Sequence, residues 1–214
     1  MISSVLESVH KYKRIVNLTG TDYPIKSNTE LLEEFCDLEK EYITGFKIEK
    51  NASKSNASKI VYYHRMDGNR ILHYFFEAVK INREKMLKSF QYDFYFGSEY
   101  WALTYEAVKE IIEMWEKNPK LQKFLRGVFV PSEIWIHTLF FSSQFREKGY
   151  VFQAKYKGLQ ELSPLTYFKY KDQIKILNDN DFDSIMQSNK MFARKIVVGK
   201  SDALIELIDR QRKT

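Results

Sequence analysis

Residues 104–118 constrain the fold most tightly. Val108, Ile111, Ile112 and Trp115 recur there at helical spacing, Thr104 can cap the first turn, and Pro119, which has no backbone N–H, stops the helix. A single apolar stripe on an otherwise polar helix has to be buried against a second layer. Short apolar runs suited to such a layer, at residues 14–18, 60–64, 92–96, 150–156 and 174–177, read as strands. Helical patterns lie between them at residues 78–88, 132–142, 181–187 and 202–211. Another helix opens at a capping box of Ser27 and Glu30, with Leu31, Leu32, Phe35 and Leu38 on its core side. The alternation predicts an α/β fold, a mixed sheet flanked by helices.

With 44% hydrophobic residues, a chain of 214 residues can bury one sizeable core, and no break in composition divides it, so residues 1–214 are expected to form a single domain. The near-repeat Asn51-Ala52-Ser53-Lys54, Asn56-Ala57-Ser58-Lys59 is small and polar and reads as a mobile loop. The single cysteine, Cys36, excludes an internal disulfide and a cysteine zinc cage, and points to a reducing, cytoplasmic setting. Cys36 itself is expected to be a small buried hydrophobe. The first twelve residues hold no long apolar run, so any membrane association is expected to be peripheral. The formal charge of +6 would suit an anionic partner, but bases and acids are interleaved along the chain and no nucleic-acid-binding signature accompanies them. A nucleic-acid partner is therefore not expected.

Several residues could carry chemistry. Glu133 falls in the first turn of the helix at 132–142, where it fits either a general base or an ordinary first-turn acid. His137, four residues on, shares its helical face, and without a third ligand it is expected to be a hydrogen-bonded or exposed histidine rather than a metal ligand. Ser132 can cap the same helix. Asp22 sits in a turn, where its carboxylate could accept backbone amides or bind sugar hydroxyls. The adjacent cations Arg194 and Lys195 could place one charge in a pocket, or both on the surface. Trp101 fits packed core or a contact with ligand, and Tyr100 offers an alternative stacking face. Neither Asp22 nor Asp93 belongs to an Asp-x-Asp pair, the spacing with which many nucleotide-sugar transferases hold a divalent ion, and no metal ligand is expected.

Four blocks, in one order, resemble the core-2/I-branching β-1,6-N-acetylglucosaminyltransferase family, which includes peptide O-xylosyltransferases and bacterial members. They are Leu18-Thr19-Gly20-Thr21-Asp22-Tyr23-Pro24, Gly97-Ser98-Glu99-Tyr100-Trp101, Pro131-Ser132-Glu133 and Met191-Phe192-Ala193-Arg194-Lys195. The resemblance implies a glycosyltransferase A-like fold, here an incomplete domain, because only one helix and one strand precede the first block. It also implies an inverting, metal-independent transfer from a UDP-sugar such as UDP-N-acetylglucosamine to a glycan or other hydroxyl acceptor, with no cofactor. On that pattern Glu133 is the base and Lys195, with Arg194, meets the diphosphate, while Asp22, Ser98 and Trp101 line the substrate cleft. A second diphosphate contact would come from Lys169 or Lys171. Ser132 stands where the family has Asp, and Ile196-Val197 where it continues Phe-Asp. The alternative is a noncatalytic carbohydrate-binding remnant of such an enzyme.

Overall fold

The structure is a computed structural model, and it describes residues 4, 6–8, 10, 12–50, 57–64, 79–170 and 172–213. Residues 51–56, most of the expected polar loop, and the start of the expected helix at 78–88 lie outside them. In chain order the strands are β1 (Arg14–Val16), β2 (Tyr23–Pro24), β3 (Thr44–Ile48), β4 (Phe94–Gly97), β5 (Ala102–Thr104), β6 (Tyr150–Val151), β7 (Thr166–Tyr167) and β8 (Phe192–Ala193). The helices are α1 (Asn28–Cys36), α2 (Ser58–Val61), α3 (Glu84–Lys88), α4 (Tyr105–Glu116), α5 (Pro119–Leu125), α6 (Ser132–Phe140), α7 (Phe182–Met186) and α8 (Asp202–Arg212). The class is mixed α/β. The chain divides into two compact units, Met1–Val9, Gly45–Gly97 and Glu106–Glu147 in one, and His10–Thr44, Ser98–Tyr105 and Lys148–Thr214 in the other.

In the first unit β3 and β4 pair antiparallel, with Phe46 opposite Phe96 and Ile48 opposite Phe94. Helix α6 is apolar nearly all round and accordingly buried, with Ile134, Ile136, Leu139 and Phe140 each at most 2% exposed. Its Thr138 hydroxyl accepts the Tyr95 N–H at 3.1 Å and donates to the Tyr95 carbonyl at 3.2 Å, which fixes the helix to the ribbon. Gly45 lets the two approach, since a Cβ there would stand 2.1 Å from the Phe141 ring. Phe90, Phe94 and Phe124 meet edge to face 5.3 to 5.5 Å apart behind β4.

Pro119 ends α4 as expected and also opens α5. Asn118 accepts the Leu121 N–H at 3.0 Å as the N-cap, and Pro119 occupies the first helical turn, where a missing N–H costs nothing. The expected strand at 60–64 is instead the helical turn α2, followed by an isolated bridge at Tyr62. A short apolar run fits a buried helical turn as well as a strand, and Ile60 and Val61 are both fully buried.

In the second unit β1 pairs antiparallel with β5, and β8 lies between β2 (antiparallel) and β7 (parallel). Ser27 and Glu30 form the reciprocal capping box on α1, with bonds of 3.2 and 2.7 Å. Leu31 and Phe35 pack on a cluster of Tyr42, Ala102, Leu165 and Phe192. Leu32 and Leu38, expected on the same stripe, are 73% and 40% exposed. Helix α1 buries no residue completely, so its contact is a single narrow row at i and i+4. Cys36, expected to be buried, is exposed at the end of α1, its thiol donating to the Glu33 carbonyl at 2.9 Å. The expected strands at 150–156 and 174–177 shorten to β6 and to a lone bridge between Tyr170 and Ile174. Among the described residues no helix is long and apolar enough to cross a membrane.

Candidate functional site

Glu133 lies in the first unit, in the opening turn of α6. Val130 has φ of 53°, a left-handed conformation that a β-branched side chain rarely takes, and it turns the chain into Pro131. Such strain is held only where the surroundings demand it, and it gathers at functional sites. Ser132, expected to cap the helix, is instead its first residue, and no side chain caps Pro131. The backbone closes the turn, with the Val130 carbonyl accepting the Glu133 N–H at 3.2 Å and the Pro131 carbonyl accepting the Trp135 N–H at 3.0 Å.

The Glu133 side chain is 16% exposed, and one oxygen stands 3.9 Å from the Lys59 ammonium. Lys59 comes from α2, held there by the Phe129 N–H, which donates to the Lys59 carbonyl at 3.0 Å. Its ammonium also sits 3.8 Å from the centre of the Phe96 ring. Burial pushes the Lys59 ammonium below its ordinary range, and the Glu133 charge pulls it back. No sequence pattern links two residues so far apart, and Lys59 was not among the expected site residues.

His137, one turn below Glu133, is 0% exposed, and neither ring nitrogen makes a well-formed hydrogen bond. Burial pushes its imidazole down to about 3, against a smaller pull from the Glu133 backbone carbonyl, so the ring is neutral. The ring is buried rather than exposed, and its contact with the Glu133 carbonyl falls short of a well-formed hydrogen bond. The sequence put it on the Glu133 face, and the packing of α6 against β4 takes His137 itself out of water.

The remaining expected residues belong to the second unit. The Asp22 carboxylate accepts the Thr19 N–H at 2.5 Å, closing the turn before β2, and its other oxygen is buried without a partner. Burial raises the Asp22 carboxyl above its usual range, while the Thr19 bonds and the Arg194 charge act in the opposite sense. Arg194 follows β8; its guanidinium donates to the Thr19 hydroxyl and lies 5.4 Å from the Tyr100 ring centre, and its Nε is buried without a partner. Asp22, Arg194, Thr19 and Tyr100 are thus drawn together by the β2–β8 pairing, with an Asp22 oxygen and the Arg194 Nε buried and, among the described residues, unpartnered.

Lys195 is half-buried, and among the described residues its ammonium has no hydrogen-bond or ion-pair partner. The peptide joining it to Arg194 is cis. Ser98, 1% exposed, accepts the Tyr100 N–H through its hydroxyl at 3.2 Å, and Trp101, 3% exposed, accepts the Asn17 N–H through its carbonyl at 2.9 Å. Both therefore shape the loop that presents Tyr100.

Lys169 follows β7, the strand beside β8, and its ammonium is committed to Asp181 at 2.8 Å. Lys171 lies outside the described residues. The expectation of no metal ligand leaves out of account Asp179-Asn180-Asp181-Phe182-Asp183, which holds the Asp-x-Asp spacing twice. In the structure Asp181 is buried, bonded by Lys169 and Lys175 at 2.8 Å and by the Asn178 N–H at 3.1 Å. Burial pushes the Asp181 carboxyl up, but these donors outweigh it and hold the group below its usual range. Both oxygens are occupied by protein donors, and Asp179 and Asp183 point to solvent, so this run anchors α7. Among the described residues no three His, Cys, Asp or Glu side chains gather as a ligand set.

The family model for Core-2/I-branching enzymes matches residues 1–156, which takes in Asp22, Ser98, Trp101 and Glu133 and ends before the Arg194–Lys195 block. No curated protein matches the chain.

Proposed function

Because the chain belongs to the Core-2/I-branching enzyme family, a family of glycosyltransferases, we propose that it moves a sugar from a UDP-sugar to a hydroxyl of a glycan with inversion at the transferred carbon. Glu133 is the general base. It takes the proton from the acceptor hydroxyl as that oxygen attacks the anomeric carbon, and the nucleotide diphosphate leaves from the opposite face of the sugar. The observation that carries this reading is the placement of Glu133, a mostly buried carboxylate inside the matched region, at a strained entry to a helix and beside the Lys59 ammonium. The Lys59 ammonium and the Glu133 carboxylate attract across 3.9 Å.

Lys195 and Arg194 stabilise the departing diphosphate. Lys195 brings an ammonium uncommitted among the described residues, and Arg194 brings a guanidinium already oriented by Thr19 and Tyr100. A planar fork and a point charge suit the several oxygens of a diphosphate, and such pre-placed charge is what lowers the barrier to leaving-group departure. Asp22 sits beside Arg194 as a turn-forming carboxylate, and this reading gives it a place in the substrate cleft. A glycosyltransferase A-like fold is the framework this reading assigns to the mixed α/β units.

The test is transfer from UDP-N-acetylglucosamine to a panel of oligosaccharide acceptors in the presence of excess chelator. Transfer with an inverted anomeric linkage and an unchanged rate is the expected result. Strict dependence of the rate on added manganese would refute the side-chain account of the diphosphate.

A further inference from the structure

In the first unit α4, α5 and the start of α6 form an open cavity of about 650 Å³, lined by Trp115, Glu116, Gln122, Arg126, Ser132 and Trp135 among others. Its volume falls within the roughly 300–1,000 Å³ typical of small-molecule sites. The two indoles are half-buried, 5.2 Å apart between ring centres and inclined at 56°, and both line the cavity. Around them stand a carboxylate, a guanidinium and a hydroxyl. Among the described residues the side chains of Glu116, Arg126 and Ser132 have no protein partner, whereas Gln122 is held by the Trp115 carbonyl at 2.7 Å.

That combination selects its occupant. An anionic ligand would meet Glu116, a cationic one would meet Arg126, and an apolar helix laid in the cavity would leave both charges desolvated without compensation. A neutral pyranose satisfies all of them, because its C–H face stacks on an indole while its hydroxyls both accept from Arg126 and donate to Glu116. We propose that this cavity is a binding subsite for a neutral sugar unit of the acceptor glycan, set back from the residue that receives the hydroxyl. Ser132 and Trp135 line it from α6, the helix that carries Glu133 between them in sequence, so a glycan seated there is held by the element that bears the base. The proposal rests on the glycosyltransferase reading and adds to it a site for the part of the acceptor that does not react.

The experiment exposes the protein to an array of neutral oligosaccharides, takes the best-retained one, and titrates it while following tryptophan emission. The chain has three tryptophans, and the third, Trp101, is buried in the other unit, so the signal reports on Trp115 and Trp135. The wild-type protein is expected to retain at least one neutral oligosaccharide with a change in emission, and Trp115→Ala and Arg126→Ala to weaken that binding at least tenfold. Trp115→Phe, which keeps a ring, should weaken it less and guards against an unfolded alanine variant. UDP affinity is measured by calorimetry on the same samples. Glycan binding that disappears in the Trp115 variants of a protein with no UDP affinity supports the subsite and overturns the donor reading. No retained oligosaccharide, or equal affinity in wild type, Trp115→Ala and Arg126→Ala, overturns the subsite whatever the UDP result.

Discussion

His137→Leu should remove an acid sensitivity that is built into helix α6. The imidazole is fully buried and lowered from 6.5 to about 3, so between those pH values the unfolded chain holds a proton that the folded chain cannot take up. Stability contributed by the neutral ring is fully present above pH 6.5 and is lost as pH falls toward 3. The loss is about 1.4 kcal/mol for each pH unit, or roughly 3 kcal/mol between pH 6.5 and 4.5. Leucine cannot titrate, is apolar, and leaves no unpaired ring nitrogen, so at neutral pH the variant should be close to wild type or slightly more stable. The assay is urea unfolding of both proteins at pH 7.5, 6.5, 5.5 and 4.5. Subtracting one curve from the other cancels every titrating group they share, and the difference should turn in favour of His137→Leu by roughly 3 kcal/mol from pH 6.5 to 4.5. Parallel stability curves over that range would refute the description of His137 as a buried, neutral ring.

Lys195→Ala should weaken UDP binding by about ten- to a hundredfold, the range expected for loss of a bond to a charged group, and Lys195→Arg should recover only part of it because the two cations differ in shape and hydration. Calorimetry that returns the same UDP affinity for wild type and Lys195→Ala would remove this lysine from the site. Gly45→Ala should lower stability by about 1–3 kcal/mol, since the added methyl would fall 2.1 Å from the Phe141 ring and the packed ring has to move. An unchanged melting temperature would show that the close approach of β3 to the end of α6 is not a constraint.

Local patterns were legible where a single element carries its own signal. The Ser27 and Glu30 capping box, the stripe on α4 and the terminal helix α8 depend on neighbours three or four residues apart, and each formed near its expected position. Pro119 shows the limit of such signals, because the same residue stops one helix and starts the next, and only the cap from Asn118 decides the second role. The short apolar runs were ambiguous for a different reason. Ile60 and Val61 became a buried helical turn, and 174–177 paired through one bridge, because pairing partners are chosen by distant chain. At the site, Glu133 could be placed on its helix from sequence, but the cation beside it could not. Lys59 and Glu133 stand 74 positions apart in the sequence, and the burial that neutralises His137 comes from the packing of α6 on β4 rather than from any residue near it in sequence. The Asp-x-Asp run at 179–183 shows the converse, a motif whose chemistry is cancelled by two lysines that fold over it.

Glu133→Gln tests the central claim most directly. Glutamine keeps the volume and the hydrogen-bonding capacity of the side chain but cannot take a proton from the acceptor hydroxyl. Turnover of the variant, measured at saturating UDP-sugar and acceptor together with its melting temperature and UDP affinity, should fall about a hundred- to ten-thousandfold while the fold and the donor binding persist. An acid with only a first-turn role would cost about 0.3–1 kcal/mol of stability and leave turnover nearly intact. Near-normal turnover in a folded Glu133→Gln protein would contradict the account and place the base elsewhere.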